Sequence, residues 1–68
     1  MAVMRFEFRV DGRMSQADRD GFTDMRIREA PLQTVLEGEV VDESHLYGII
    51  AQLEALGIIV VSMRQIPD

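Results

Sequence analysis

The stretch TVLEGEVVDESHLYGIIAQLEALGIIVVSM, which runs from Thr34 to Met63, decides the fold of this chain. Asp42 is a favourable helix N-cap, and Gly57 lies where a left-handed glycine commonly ends a helix. Between them, apolar residues recur at the spacing of a one-sided buried stripe, at Leu46, Ile49, Ile50, Leu53 and Leu56. The pattern predicts a strand over residues 32–40 and a helix over residues 43–56.

The segment after Gly57 predicts a last strand over residues 58–66. Its start, Ile58-Ile59-Val60-Val61, is apolar without alternation, which is typical of a strand covered on both faces. We expect an apolar outer side at Ile59, Val61 and Met63, or at the residues that alternate with them. Small domains seldom leave such a patch open to water without a use, so a partner is expected there.

The first half of the chain alternates with period two. Residues 2–11 predict a half-buried strand in which Met4, Phe6, Phe8 and Val10 point inward, while Arg5, Glu7, Arg9 and Asp11 form a solvated side. Residues 23–29 predict a second such strand, and Ala30-Pro31 breaks it. In the third strand, Gly38 indicates a bulge or a close approach by another element.

A short helix is expected between the first two strands. Ser15 can cap it by accepting a hydrogen bond from the amide of Asp18, and Gly21 is the predicted stop after residues 16–20. Phe22 is expected to fill the core where this helix is too short to cover the sheet. The order is β-α-β-β-α-β, an α+β, ferredoxin-like arrangement with an antiparallel sheet in the order 4-1-3-2. A β-β-β-α-β meander remains open if the first helix does not form.

Length and composition restrict the possible functions. Sixty-eight residues predict one domain, over residues 1–68, with a marginal core that favours a partner chain. The chain has no Cys and one His, which excludes disulfides, thiolate metal sites and multi-histidine sites. The net charge of −5 opposes nucleic-acid binding. With no long apolar run and no signal-peptide pattern, no membrane association is expected, and a cytoplasmic location is predicted.

The motif also resembles a group of short bacterial proteins with no assigned activity, whose pattern is T-V-L-x-G-x-V-x-D-x-x-x-L-x-G-[IL]-[IL]-x-x-[IL]-x-x-L-G-[IL]. In this chain the pattern is carried by Thr34, Val35, Leu36, Gly38, Val40, Asp42, Leu46, Gly48, Ile49, Ile50, Leu53, Leu56, Gly57 and Ile58, and an upstream Gly-x-[LM]-Ser by Gly12, Met14 and Ser15. Members carry Gln and His where this chain has Glu43 and Tyr47. The resemblance implies the fold and no reaction.

The helix carries an unusual second face. Small residues line the side opposite its apolar stripe, where charged residues would be expected on a solvated surface, and Gly48 alone costs about 1 kcal/mol there. This face is either a quiet exposed surface, a contact with the short first helix, or a helix-on-helix contact in a twofold homodimer. The candidate interface combines this face, the neighbouring tyrosine and the last strand: Ser44, Tyr47, Gly48, Ala51, Ala55, Ile59 and Val61.

Proton-transfer and metal-binding sites have less support from the sequence than an interaction surface. His45 and Tyr47 are two residues apart on a helix and point in different directions, so neither catalysis nor a cofactor is predicted. The acids Glu37, Glu39, Asp42 and Glu43 lack calcium-loop spacing, so no metal is predicted.

The leading hypothesis is a non-enzymatic interaction module that acts through self-association or by docking another protein. The alternative is a small-molecule-binding regulatory domain like the ACT domains, which share the element order and bind ligands at subunit interfaces. This chain lacks their glycine-rich loop after the first strand. A dimeric ferredoxin-like enzyme that uses His45 or Tyr47 is the third hypothesis.

Overall fold

The computed structural model describes residues 3–67, and the predicted start of the first strand at residue 2 lies outside them. A 3₁₀ turn, Asp20–Phe22, follows the first helix directly. The elements in chain order are β1 (Met4–Asp11), α1 (Gln16–Arg19), β2 (Arg26–Ala30), β3 (Gln33–Val40), α2 (Glu43–Ala55) and β4 (Val60–Ile66).

The four strands form one open antiparallel sheet in the order β2-β3-β1-β4. This is the predicted order, and the α+β class is confirmed. Strand β1 is central and pairs with β3 on one side and with β4 on the other. Strands β2 and β4 form the two edges.

The core lies between α2 and one face of the sheet, which we call the inner face. Strand β1 contributes Phe6 and Phe8, whose ring centroids are 6.3 Å apart. Both rings are buried, so they belong to the core and are not exposed for stacking on a ligand. The buried apolar cluster consists of Phe6, Phe8, Val10, Met14, Phe22, Leu36, Val40, Ile49 and Leu53.

Helix α2 begins and ends as its sequence predicts. The side chain of Asp42 accepts a hydrogen bond from the amide of His45 at 2.8 Å. At the other end Gly57 has a φ of +75°. The amide of Ile58 donates to the carbonyl of Leu53 at 3.0 Å, and that of Gly57 donates to Glu54 at 2.9 Å. This pair of bonds is a Schellman motif, which satisfies carbonyls that the helix end would leave unpaired.

The prediction that Gly21 stops the first helix is wrong, because Gly21 lies inside the 3₁₀ turn. Ser15 caps α1 as expected, with its hydroxyl 3.1 Å from the amide of Asp18, but the chain then continues into the 3₁₀ turn. Within the described residues only Gly12 and Gly57 are glycines with positive φ. Gly21 instead allows a close approach, because its carbonyl accepts a bond from Gln52 and an added Cβ would lie 2.8 Å from that donor nitrogen.

Strand β2 begins later than predicted, at Arg26. Residues 23–25 form a turn, in which the amide of Met25 bonds to the carbonyl of Phe22 at 3.1 Å. The turn brings Met25 over Gly38, where an added Cβ would be 3.1 Å from the methionine Cγ. The predicted close approach at Gly38 is therefore confirmed, and Phe22 is buried as expected.

Strand β4 differs most from its prediction. It is an edge strand that begins at Val60, and its apolar residues are not covered on both faces. Val60 pairs with Val10 and Ser62 pairs with Arg9, so Val61 is an extra residue at a bulge. A bulge resets the alternation of side chains. Met63, which pairs with Phe8, therefore belongs to the inner face, which decides between the two alternatives for this residue.

Candidate interaction surface

The exposed apolar side chains are concentrated around β4. Of the eight large hydrophobic residues that are exposed among the described residues, four fall within residues 56–63. We call these four, Leu56, Ile59, Val61 and Met63, the β4 rim. Their relative exposures lie between 41% and 65%. Two of them, Ile59 and Val61, belong to the interface set predicted from the sequence.

Met63 shows why the rim is open. Its register places it beside the fully buried Phe8 on the inner face, yet 41% of Met63 is exposed. Helix α1 contains no buried residue, so the inner face is covered by α2 and by Phe22 of the 3₁₀ turn. The part of the inner face along β4 is left partly uncovered.

The small-residue face of α2 is also exposed. Each of its four residues is accessible: Ser44, Gly48, Ala51 and Ala55. A Cβ added at Gly48 would meet no atom within 4 Å, so no contact within the described chain requires a glycine there. This face lies opposite the buried Ile49 and Leu53, whereas the rim follows the sheet edge. The predicted set therefore divides into two surfaces.

The two residues considered for proton transfer have separate environments. The ring of His45 uses Nδ1 to accept a hydrogen bond from the amide of Val41 at 3.1 Å, so a neutral ring carries its proton on Nε2. Tyr47 is largely exposed and makes none of the side-chain hydrogen bonds found in the described residues. The pair is therefore not assembled into a catalytic arrangement.

Charge is distributed unevenly along the chain. Residues 44–67 contain one acid, Glu54, and one arginine, Arg64, and so are neutral overall. Eleven of the twelve acids and six of the seven arginines lie elsewhere, which places the whole net charge of −5 outside this segment. Both candidate surfaces belong to the neutral segment. A second, equally acidic copy meets the least repulsion there.

The outer face of the sheet holds a charged cluster that the sequence analysis missed. Glu7, predicted to be solvated, has only 4% relative exposure. Its Oε1 accepts hydrogen bonds from Nε of Arg9 at 3.1 Å and from Nε of Arg64 at 3.2 Å. Arg28 lies 3.7 Å from its second oxygen. The strands β1, β2 and β4 thus meet at one carboxylate, a convergence that only the strand register reveals.

The ion pairs of Glu7 affect its pKa more than its burial does. The hydrogen bond from Arg64 is the largest cause that holds the pKa of this carboxyl below its usual value, and Arg9 acts in the same direction. Burial opposes them by disfavouring the charged form. The same arginine layer explains Val35, which faces outward without any exposure, since Arg9 and Arg28 are its cross-strand neighbours.

One cleft lies at the far end of β3, where β2 no longer pairs with it. It has a volume of about 650 Å³ and is open to solvent. Charged and polar side chains dominate its lining, among them Arg5, Asp24, Arg26, Glu37, Glu39 and His45. Arg5 is held 3.3 Å from Glu37 and 3.7 Å from Glu39. Asp24 and Arg26 take part in no ion pair within residues 3–67.

The acidic side chains of the described residues do not form a metal site. The described residues contain no group of three or more His, Cys, Asp or Glu side chains placed to hold a metal ion. The acids considered for that role are used otherwise: Glu37 and Glu39 pair with Arg5, and Asp42 caps α2. No helix in the described part of the chain has the length and apolar character needed to cross a bilayer.

Comparison with known proteins gives a family and no activity. No curated protein and no solved structure gives a significant match to the chain. One family model matches residues 5–64, which include all four strands almost completely and both helices. The chain therefore belongs to the family described as a domain of unknown function, DUF8691.

Proposed function

We propose that this protein is a small, non-enzymatic interaction module that acts through self-association as a homodimer. The observation that carries the proposal is the coincidence of exposed apolar side chains and electrostatic neutrality in residues 44–67. A protein of net charge −5 gains little from burying its acidic regions against another copy. Burial of apolar area from the neutral segment contributes roughly 25 cal/mol per Å² without that repulsion.

The small size of the domain supports the same proposal. A chain of this length buries about 60% of the surface that its unfolded form exposes, which leaves a marginal core. The chain contains no cysteine to add a cross-link. Association is the remaining common way to bury more apolar surface. Docking of a different protein would use the same exposed side chains.

The test is the molar mass of the purified protein across a concentration series, measured by light scattering and sedimentation equilibrium. We expect a dimer at micromolar concentration. Met63→Glu places a charge in the β4 rim and is expected to raise the dimer Kd at least about tenfold. Leu32→Glu is the matched control, because Leu32 is 88% exposed and lies in the β2–β3 turn, outside β4 and its free edge. A wild-type chain that stays monomeric throughout would refute self-association.

Salt provides a second test of the physical basis. Because the acidic regions of two copies repel each other while the proposed contact is apolar, added NaCl is expected to strengthen the dimer by screening. A contact made of ion pairs would weaken instead. The expected result is a Kd that falls as NaCl rises from low to physiological ionic strength.

A second candidate function is regulation by a small polar ligand. The cleft that contains Asp24 and Arg26 favours it, since its volume lies within the usual range of ligand sites, about 300–1,000 Å³. A ligand that carries both an amino and a carboxylate group would match the two side chains. Thermal-shift measurements with amino acids test this, with Arg26→Ala and Asp24→Asn as variants. No shift with any amino acid would reject it.

A further inference from the structure

The free edge of β4 has the properties of a pairing surface. Within residues 3–67, β4 pairs with β1 alone, so one row of its backbone amides and carbonyls has no strand partner. Natural proteins protect such edges with charged residues, proline or bulges. In β4 the protection is limited to the bulge at Val61, the single charge of Arg64 and Pro67, just beyond the strand.

We infer that β4 of one copy pairs antiparallel with β4 of a second copy, about a twofold axis at Met63, to form a continuous eight-stranded sheet. This inference rests on the proposed self-association and names its surface. Pairing would satisfy the unpaired edge and bring together the two β4 rims. The two α2 helices would lie on the same side of the sheet.

The register follows from side-chain direction and charge. With both helices on one side, inner-face residues must oppose inner-face residues, which leaves few alignments. A twofold axis at Arg64 would place two arginines directly opposite each other, an unfavourable arrangement. An axis at Met63 places Met63 opposite its own copy and Arg64 opposite Ser62, with no like charges facing. It also buries the exposed methionine.

The low charge of this edge favours a second copy as the partner, because two identical edges would repel each other little. Residues 55–67 contain no acid, and the paired edges would carry one positive charge each, on the outer face. Arg64 is already held by Glu7 of its own chain at 3.2 Å, which offsets that charge. The other edge, β2, has charged side chains at three of its five residues and would oppose arginines in a self-pair centred on Arg28.

A cysteine scan tests the inference, because the natural chain contains no cysteine. Single variants Ser62→Cys, Met63→Cys and Arg64→Cys are oxidised with oxidised glutathione and followed on non-reducing gels. Met63→Cys is expected to cross-link fastest, since cross-strand partners are about 4.5–5.5 Å apart. The others are expected to be slower, because diagonal neighbours lie about 7–8 Å apart, beyond the usual reach of a disulfide. Ala51→Cys reports the helix face, and Leu32→Cys reports random collision.

A measurement on the unmodified chain accompanies the scan. Amides of residues 62–66 that point away from β1 are expected to exchange with deuterium more slowly as concentration rises, while those of β2 do not change. A dimer that cross-links fastest at Ala51→Cys, with β4 exchange unaltered, would overturn the β4 pairing and leave self-association standing. Fastest cross-linking at position 62 or 64 would overturn the axis at Met63. A monomer at all concentrations would refute both proposals.

Discussion

The two edge strands of the sheet, β2 and β4, differ in how well their unpaired backbone groups are protected from pairing with another chain. Strand β2 is a short hairpin partner with charged residues at positions 26, 28 and 29, which makes its edge unfavourable for pairing. Strand β4 is longer, carries one charge and is bordered by exposed apolar residues. The comparison indicates that the β2 edge is protected as a solvent-exposed edge should be. The β4 edge has the composition of a surface that contacts another chain.

The largest expected effect tests whether β4 is packed within the single chain. Leu36 and Met63 flank Phe8 on the inner face, on β3 and β4 respectively. Leu36→Ala is expected to cost about 2–5 kcal/mol of unfolding free energy, because the site is fully buried. Met63→Ala is expected to cost well under about 1 kcal/mol at a concentration that favours monomer. Urea unfolding measures both. Equal losses would show that β4 is as buried as β3.

The next effect concerns the carboxylate that joins the two edges. Glu7 contacts Arg28 on β2 and Arg64 on β4, so Glu7→Gln leaves the arginines around it without their shared acid. We expect a loss of about 1–3 kcal/mol at neutral pH, since a buried charged hydrogen-bond partner is removed. Glu54→Gln, an exposed carboxylate outside every described ion pair, is the control. No loss at Glu7 would show that the cluster contributes nothing to stability.

In acid, the difference in unfolding free energy between wild type and Glu7→Gln is expected to disappear. The pKa of Glu7 is lower in the folded chain than its ordinary value, so its charged form stabilises the fold above the unfolded pKa. That stability is lost as the pH falls through the folded pKa. The gap in unfolding free energy between wild type and Glu7→Gln is therefore expected to be complete at neutral pH and to close in acid. A gap that widens in acid would contradict the lowered pKa.

A smaller effect is the difference between the two ion pairs that Glu7 makes with the edge strands. Double-mutant cycles compare Glu7 with Arg64, at 3.2 Å, and Glu7 with Arg28, at 3.7 Å. Because the Arg64 pair is hydrogen-bonded, its coupling energy is expected to be larger by roughly 0.5 kcal/mol. Unfolding of the two single variants and the double variant gives each coupling. Equal couplings would indicate that only the summed charge matters.

The smallest expected change in stability comes from the turn that joins β2 to β3. Leu32 has a φ of +62°, an unfavourable conformation for a side chain with a Cβ, and it buries almost nothing. It follows Pro31 in the β2–β3 turn, at the position where a type II turn favours glycine or asparagine. Leu32→Asn is expected to stabilise the fold by about 0.5–1 kcal/mol. Thermal unfolding measures it, with Pro31 unchanged. Destabilisation would mean that Leu32 has an unrecognised contact.

The sequence predicted local features better than distant ones. The caps of α2, its Schellman ending and the alternation of β1 depend on residues a few positions apart, so they can be read along the chain. The bulge at Val61 depends on how β4 aligns with β1, which local spacing does not reveal. The sequence therefore left open which residues of β4 face outward.

The candidate site was predictable to a similar extent. Exposure of the helix face agrees with its position opposite the apolar stripe. Ile59 and Val61 belong to an apolar run without alternation, so their exposure could not be read from a pattern. The Glu7 cluster was missed because its partners are distant in the chain, with Arg64 fifty-seven residues away. A strand with alternating Arg and Glu appears solvated until arginines from neighbouring strands are aligned with it. Predicting this cluster would have required the register in which the strands pair, which residue types alone do not give.

The pairing of Arg5 with Ile66 has a consequence for how the module can be built into larger chains. The start of β1 and the end of β4 lie side by side, at one corner of the sheet. Any polypeptide attached at the two ends would therefore leave the domain from neighbouring points. Such a unit fits into a surface loop of a host protein, or permits circular permutation with new ends opened at the Pro31-Leu32 turn.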